Sequence, residues 1–232
     1  MRLAIMQPYF LPYIGYFQLI GAADVFVLYD NIKYTKKGWI NRNRYLQNGH
    51  DALFTLPLKK DSDALDIVGR ELAEDFDPKK LLNQFHGSYY RAPHFAHTFQ
   101  LLEAILCHQH RNLFHFIQNS LRLVCTHLAL ETQIVISSEV EVDHQLKNQD
   151  RVIAVCTALG ADCYINAIGG MQLYTKGDFE VHGLSLKFLQ SKPIEYAQFG
   201  ASFIPWLSIV DLLMFLPLEV VQEKISNHYE LI

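Results

Sequence analysis

The stretch LAIMQPYFLPYIGYFQLIGAADVFVLYD, Leu3 to Asp30, decides the fold. Leu3 to Met6 is a short apolar run of strand character, and Pro8 and Pro12 keep it from continuing as strand or helix. Ile14, Phe17, Leu19 and Ile20 then fall near helical spacing until Gly21, a C-terminal stop. Asp24 opens VFVLYD, a β-branched and aromatic run of strand length. Strand, helix and strand within about thirty residues form the βαβ unit of a parallel sheet, with a right-handed crossover expected.

Working outward, Ala52–Leu58, Thr132–Ile136, Cys163–Ala167 and Leu184–Leu189 read as further strands. Arg151–Leu159 reads as a helix stopped by Gly160, and Leu207–Phe215 and Leu218–Ile225 as short helices divided by Pro217. Between Asp77 and Ala129 one apolar stripe runs through Leu101, Leu102, Ile105 and Leu106. Another begins at Leu113 and Phe114 and ends at Val124, so this region is expected to be helical. The expected fold class is α/β: a doubly wound, mainly parallel, Rossmann-like sheet with a helical insertion near the middle. With no internal repeat or low-complexity linker, residues 1–232 are expected to form one α/β domain with a helical subregion at about 77–129.

Half the residues are hydrophobic and 19% are charged, which excludes disordered, collagenous and coiled-coil chains. A net charge of −4, with the 20 Lys and Arg scattered, argues against a nucleic-acid partner. Cys107, Cys125, Cys156 and Cys163 lie in apolar stretches without CxxC spacing, so buried free thiols in a reducing compartment are expected. The chain opens directly on a strand-like run without a cleavable leader pattern, and LLMFLPL (Leu212–Leu218) is too short to span a bilayer. The expected location is cytoplasmic, with no membrane partner; a homodimer is left open.

The first chemical candidate is the strand-to-helix turn QPYFLPYIGY, Gln7 to Tyr16. Unpaired amides and the positive end of a helix dipole favour an anion there, and Gly15 allows close approach. Gln7, Tyr9, Tyr13, Gly15 and Tyr16 are therefore candidate ligand-binding residues, unless they merely pack a tight turn. The second candidate is KYTKKGWINRNR, Lys33 to Arg44. If Asn41–Tyr45 is extended, Arg42 and Arg44 point to one side and Asn41 and Asn43 to the other. Two guanidinium groups on one face can grip a phosphate or carboxylate, with Lys36 and Lys37 nearby; a solvated basic loop is the alternative. Asp30, at a strand end beside this loop, is a general-base candidate or a simple turn residue. Asn166, Gly169 and Gly170 follow another strand, as do Ser137 and Ser138, which could bind phosphate or cap a helix. Asp211, acidic in an apolar helix, is a partnered buried group or a second carboxylate of the site. His86, His94, His97, His108, His110 and His115 crowd one region, but HExxH is missing. A polar helical face is the preferred reading over a metal hydrolase.

The blocks MQPYFLPYIGYF, VLYDNIKYTKKGWINRNRY, SYYRAPHF, YINAIGG with LYTKGDF, and FIPWLSIVDLLMF together resemble the WbqC-like protein family, in order along nearly the whole chain. That resemblance implies a role in bacterial surface-polysaccharide, notably O-antigen, biosynthesis. The implied activity is that of a transferase or ligase-like enzyme attaching an amino-acid or acyl group to a nucleotide-linked amino sugar. A non-catalytic nucleotide or nucleotide-sugar binding accessory protein is the alternative. More distantly, Tyr13-Ile14-Gly15-Tyr16 followed by Ala22, Ala23 and Asp24 is similar to the H-x-G-H turn of HIGH-type nucleotidyltransferases. This likeness implies a nucleotidyltransferase-like sheet, with ATP and Mg2+ as the cofactor to test. Both histidines are tyrosines here, which donate hydrogen bonds but carry no positive charge, so Arg42, Arg44, Lys36 and Lys37 would have to supply it. In that reading Asp30, Arg42 and Arg44 are the catalytic candidates.

Overall fold

The computed structural model describes residues 1–200 and 202–232. Strands β1 (Arg2–Met6), β2 (Val25–Leu28), β5 (Gln133–Ile136), β6 (Cys163–Ala167), β7 (Ser185–Ser191) and β8 (Tyr229–Leu231) form one sheet in the order β5-β2-β1-β6-β7-β8. All neighbours are parallel except β7 and β8. The strand order reverses at β1, which has β2 on one side and β6 on the other.

Side-chain alternation explains why both faces are covered. Leu3 and Ile5 of β1, with Val25 and Val27 of β2, enter one buried cluster with Val152, Val155 and Cys156 of α5 (Asn148–Ala158). Ala4, Phe26 and Leu28 enter the other cluster. That cluster also holds Ile14, Phe17 and Ile20 of α1 (Ile14–Ala22) and Val221 and Ile225 of α8 (Leu218–Asn227). The sheet is therefore doubly wound, mainly parallel and Rossmann-like.

The helical insertion comprises α2 (Pro78–Tyr89), α3 (Phe95–Leu106) and α4 (Leu113–His127). Asp77 caps α2 by accepting from Lys79 N at 3.0 Å, with Pro78 at the first helical position. Asn112 caps α4 by accepting from His115 N at 3.1 Å. Two short helices, α6 (Lys176–Glu180) and α7 (Ile209–Phe215), complete the helices.

The segment expected as a further strand of the main sheet instead forms a separate hairpin. β3 (Arg42–Gln47) pairs antiparallel with β4 (His50–Thr55) in a two-stranded sheet. Asn48 and Gly49 both have positive φ, 52° and 79°, which the two-residue turn of a twisted hairpin requires. Cys125, Cys156 and Cys163 are buried, but Cys107 is exposed, because it ends α3 and leads into a surface loop. No helix among the described residues is long and apolar enough to cross a membrane.

Candidate functional site

The site is built where the strand order reverses, the place at which open parallel sheets leave a crevice beyond the strands' carboxyl ends. A cavity of about 510 Å³ lies there. Met6 ends β1, Ala167 ends β6 with Ile168 directly after it, and Leu189, Gln190 and Ser191 end β7; together they line one side. Tyr13, Gly15, Tyr16 and Leu19 of the α1 region line another, and Trp39, Asn43, Arg44 and Trp206 close the rim.

Two segments distant in sequence hold the turn that starts α1. Asn43 Nδ2 donates to Leu11 O at 3.0 Å, and Phe10 N donates to Ile40 O at 2.9 Å, binding the turn to the β3 hairpin. Ser208 Oγ donates to Leu11 O at 2.7 Å and Ile209 N to Pro12 O at 2.8 Å, binding it to the start of α7. Leu11 has a φ of 45°, an uncommon conformation for a branched residue that these clamps over-determine. No side chain caps α1, whose first residues line the cavity at the positive end of the helix dipole, with Tyr16 N donating to Tyr13 O at 3.0 Å. Gly15 packs closely against β7: a Cβ there would stand 2.8 Å from Ser191 Oγ, which would have to shift. That hydroxyl donates to Gln18 Oε1 at 2.5 Å, while Gln18 Nε2 donates to Lys224 O and His228 O. The buried Gln18 thus ties α1, β7 and the end of α8 together.

Arg44 is the one charged residue in the cavity lining among the described residues. Its guanidinium lies 5.8 Å from the Trp39 ring centre and donates to Trp206 O at 3.2 Å, with Asp51 at 3.3 Å. Trp206 has a φ of 63° and its ring lies 5.2 Å from that of Tyr13. Burial raises the pKa of Tyr9, Tyr13 and Tyr16 above the ordinary phenol value, most for Tyr16. These phenols keep their protons at neutral pH and can donate hydrogen bonds. Tyr16 donates to Gln7 O at 2.8 Å and Tyr9 to Gln7 Oε1 at 3.3 Å.

The structure brings Tyr9, Tyr13, Gly15, Tyr16, Asn43 and Arg44 to one cavity. Gln7 sits behind it as the partner of two of its tyrosines. Arg42 shares the face of Arg44 and lies 5.7 Å from the same Trp39 ring, but its guanidinium is taken by the carbonyls of Gly38 and Lys37. Lys36 turns away to Asp63 at 2.7 Å, and Lys37 is exposed. Asn41 bridges Tyr34 and Leu56, a packing role.

Asp30 lies outside the cavity lining and is wholly buried. Both its oxygens accept from Ser138, from N at 2.9 Å and Oγ at 2.6 Å. Ser138 is thereby spent, and Ser137 is buried next to it. Asn166 accepts from Ala167 N at 2.8 Å and packs under Gly170, where a Cβ would stand 2.5 Å from its amide; Gly169 borders open space. Asp211 is a partnered buried group, accepting at 2.7 Å from each of Tyr89, Tyr196 and Gln198.

The six histidines of the insertion divide between places. His86 stacks on Tyr90, His94 and His97 border a small cavity with His127, and His108, His110 and His115 neighbour one another. Among the described residues no group of three or more His, Cys, Asp or Glu is placed to hold a metal ion. The cavity lining supplies no carboxylate for Mg2+, so nucleotide phosphates there would face the α1 amides and Arg44. Trp39, Trp206, Gln190 and Ser191 escaped the sequence reading; the exposed Gly-Trp and Pro-Trp pairs were the available signal.

Comparison with known proteins agrees with this layout's extent. The chain is similar to the uncharacterized protein Rv1507c of Mycobacterium tuberculosis, 27% identical over 215 residues, covering 91% of this chain and 92% of that one. No solved structure matches the chain. The model of the WbqC-like protein family matches residues 7–223, from the glutamine that opens the first turn into the last helix. The chain belongs to the WbqC-like protein family.

Proposed function

We propose that this protein binds a nucleotide-linked amino sugar in the cavity beyond β1 and β6, and acts in bacterial surface-polysaccharide (O-antigen) biosynthesis. In this reading it is a transferase or ligase-like enzyme that attaches an amino-acid or acyl group to the sugar's amine. The observation that carries the reading is that the uncapped start of α1 and Arg44 line one cavity together with two tryptophans. Amides and guanidinium suit phosphate oxygens, and indole faces suit a base or the apolar face of a sugar.

The chemistry fits an activated acyl donor. The amine nitrogen attacks the acyl carbon, a C–N bond forms, the bond to the leaving group breaks, and the leaving group departs with the electron pair. The proton lost by the amine leaves with it. The negative charge developing on the acyl oxygen would be met by fixed donors: the Tyr13 hydroxyl, the start of α1 and Arg44. A different observation favours the accessory reading, in which the chain binds but does not turn over. Carboxylate, histidine, cysteine and lysine side chains are missing from the cavity lining, leaving tyrosine and serine hydroxyls as its proton-handling groups.

Calorimetric titration with ATP and with CMP-, UDP- and dTDP-linked amino sugars tests the shared part. One class should bind, and Arg44→Ala should weaken it at least tenfold, about 1.4 kcal/mol. Lack of binding by every class overturns the cavity assignment. Mass spectrometry of the bound sugar after addition of activated acyl donors then separates the enzyme, which adds the acyl mass, from the accessory protein, which leaves the sugar unchanged.

A further inference from the structure

A second cationic group lies at the carboxyl end of the sheet, separate from Arg44. Arg151, in the first turn of α5, is 7% exposed, yet takes part in no ion pair among the described residues. Its guanidinium has five N–H donors. One donates to Asn31 O at a long 3.4 Å, and one faces His144 Nδ1 at 3.2 Å. The Nε–H is buried with no partner, and the plane rests 4.9 Å from the Tyr29 ring centre. The same His144 nitrogen faces Asn31 Nδ2 at 3.2 Å, so two donors converge on it and it is the acceptor. Asp30, between Tyr29 and Asn31, is committed to Ser138, and Asp150, next to Arg151 along the chain, makes no ion pair among the described residues.

A buried guanidinium without a carboxylate is costly, because desolvation is not returned by an opposite charge. A packing role alone would be filled as well by an uncharged side chain. Tyr29 and Asn31 directly follow β2, and Arg151 is delivered there by the N-terminal end of α5, so the cation sits just beyond a strand end, where this sheet class receives ligands. We propose that Arg151, with the Asn31 amide and the Tyr29 ring as its surround, forms a second oxyanion-binding site, taking a carboxylate or phosphate group. The site is independent of the assignment made for the Arg44 cavity.

Thermal unfolding of the wild-type protein and of Arg151→Met is followed in sodium phosphate, sodium acetate and sodium chloride at matched ionic strength. The wild type should gain about 3 °C or more, saturably, in phosphate or in acetate over chloride, and the responding anion identifies the ligand class. Arg151→Met should lose that gain, while in chloride it melts at or above the wild-type temperature, as removal of an uncompensated buried charge requires. Arg44→Ala should keep the part of the gain that Arg151→Met loses, which separates this site from the first cavity. The proposal is overturned if neither anion raises the wild-type midpoint beyond chloride, or if Arg151→Met keeps the anion response. It is equally overturned if Arg151→Met melts several degrees lower in chloride, the mark of a structural brace.

Discussion

Replacing Asp211 by alanine should cost the fold about 4 kcal/mol, and the figure follows from its partners. The carboxylate is wholly buried in the first turn of α7 and receives the hydroxyls of Tyr89 and Tyr196 and the amide of Gln198, each at 2.7 Å. Tyr89 and Gln198 are themselves buried, so their donors cannot turn to water after the substitution. Each stranded donor costs about 1–3 kcal/mol. Tyr196 is half-buried and finds solvent more easily. Tyr89 already accepts from Leu46 N at 2.8 Å, so rotating it to escape would break a link to β3. Asp211→Asn keeps one acceptor and removes a buried charge, so its cost should be smaller, about 1–2 kcal/mol. Urea unfolding followed by far-ultraviolet circular dichroism measures both. An Asp211→Ala protein within about 1 kcal/mol of wild type would refute the account of stranded donors.

The same residue gives a pH signature. Burial pushes the Asp211 carboxyl up, outweighing the hydrogen bonds from Tyr196, Tyr89 and Gln198 that act the other way. The folded state then holds its proton more tightly than the unfolded chain does. The stabilisation this brings is complete below the ordinary value of 3.8 and fades as pH rises through the raised folded value. The difference in stability between wild type and Asp211→Asn should shift in that direction across this window, and a pH-independent difference would contradict it.

Thiol titration of the native protein should find Cys107 reactive, with the remaining three cysteines reacting only after denaturation. Burial lifts the Cys125 and Cys156 thiols to about 12, leaving little thiolate in the folded state. Asn112→Ala should destabilise by about 2 kcal/mol in urea melts, because it removes the α4 cap and also the amide bond to Val68 O at 2.7 Å. Gly15→Ala should change stability by less than about 1 kcal/mol, as helix propensity offsets the displacement of Ser191. Its methyl group should nevertheless lower nucleotide-sugar affinity at least tenfold in calorimetry, and unchanged affinity would move the ligand away from α1.

How much was legible in the sequence depended on whether a signal was local. Pro8, Pro12 and Gly21 punctuate β1 and α1 within a few residues, and β2 and β6, buried on both faces, are written as nearly unbroken apolar runs. The β3–β4 pairing was missed although Asn48-Gly49 announces it, because the basic segment before it drew the reading towards a loop. Strand β8 has only three residues and pairs antiparallel at the edge, too short for an alternating pattern. For the site, alternation places Arg42 and Arg44 on one face, which their shared approach to Trp39 matches. Alternation cannot reveal that nearby carbonyls capture Arg42, or that Ser138 encloses Asp30. Trp206 and Ser191 reach the cavity from segments far along the chain, a juxtaposition that only the tertiary fold creates.

The chain contains two tryptophans, and both stand at the rim of the Arg44 cavity, 42% and 58% exposed for Trp39 and Trp206. Its indole emission therefore arises from one small region and not from the core, whose aromatic residues are phenylalanine and tyrosine. A molecule entering the cavity should quench or blue-shift nearly all of that light, so the protein carries its own label-free optical reporter of occupancy. Red-edge emission in the empty protein, by the same logic, signals hydrated indoles rather than loss of structure.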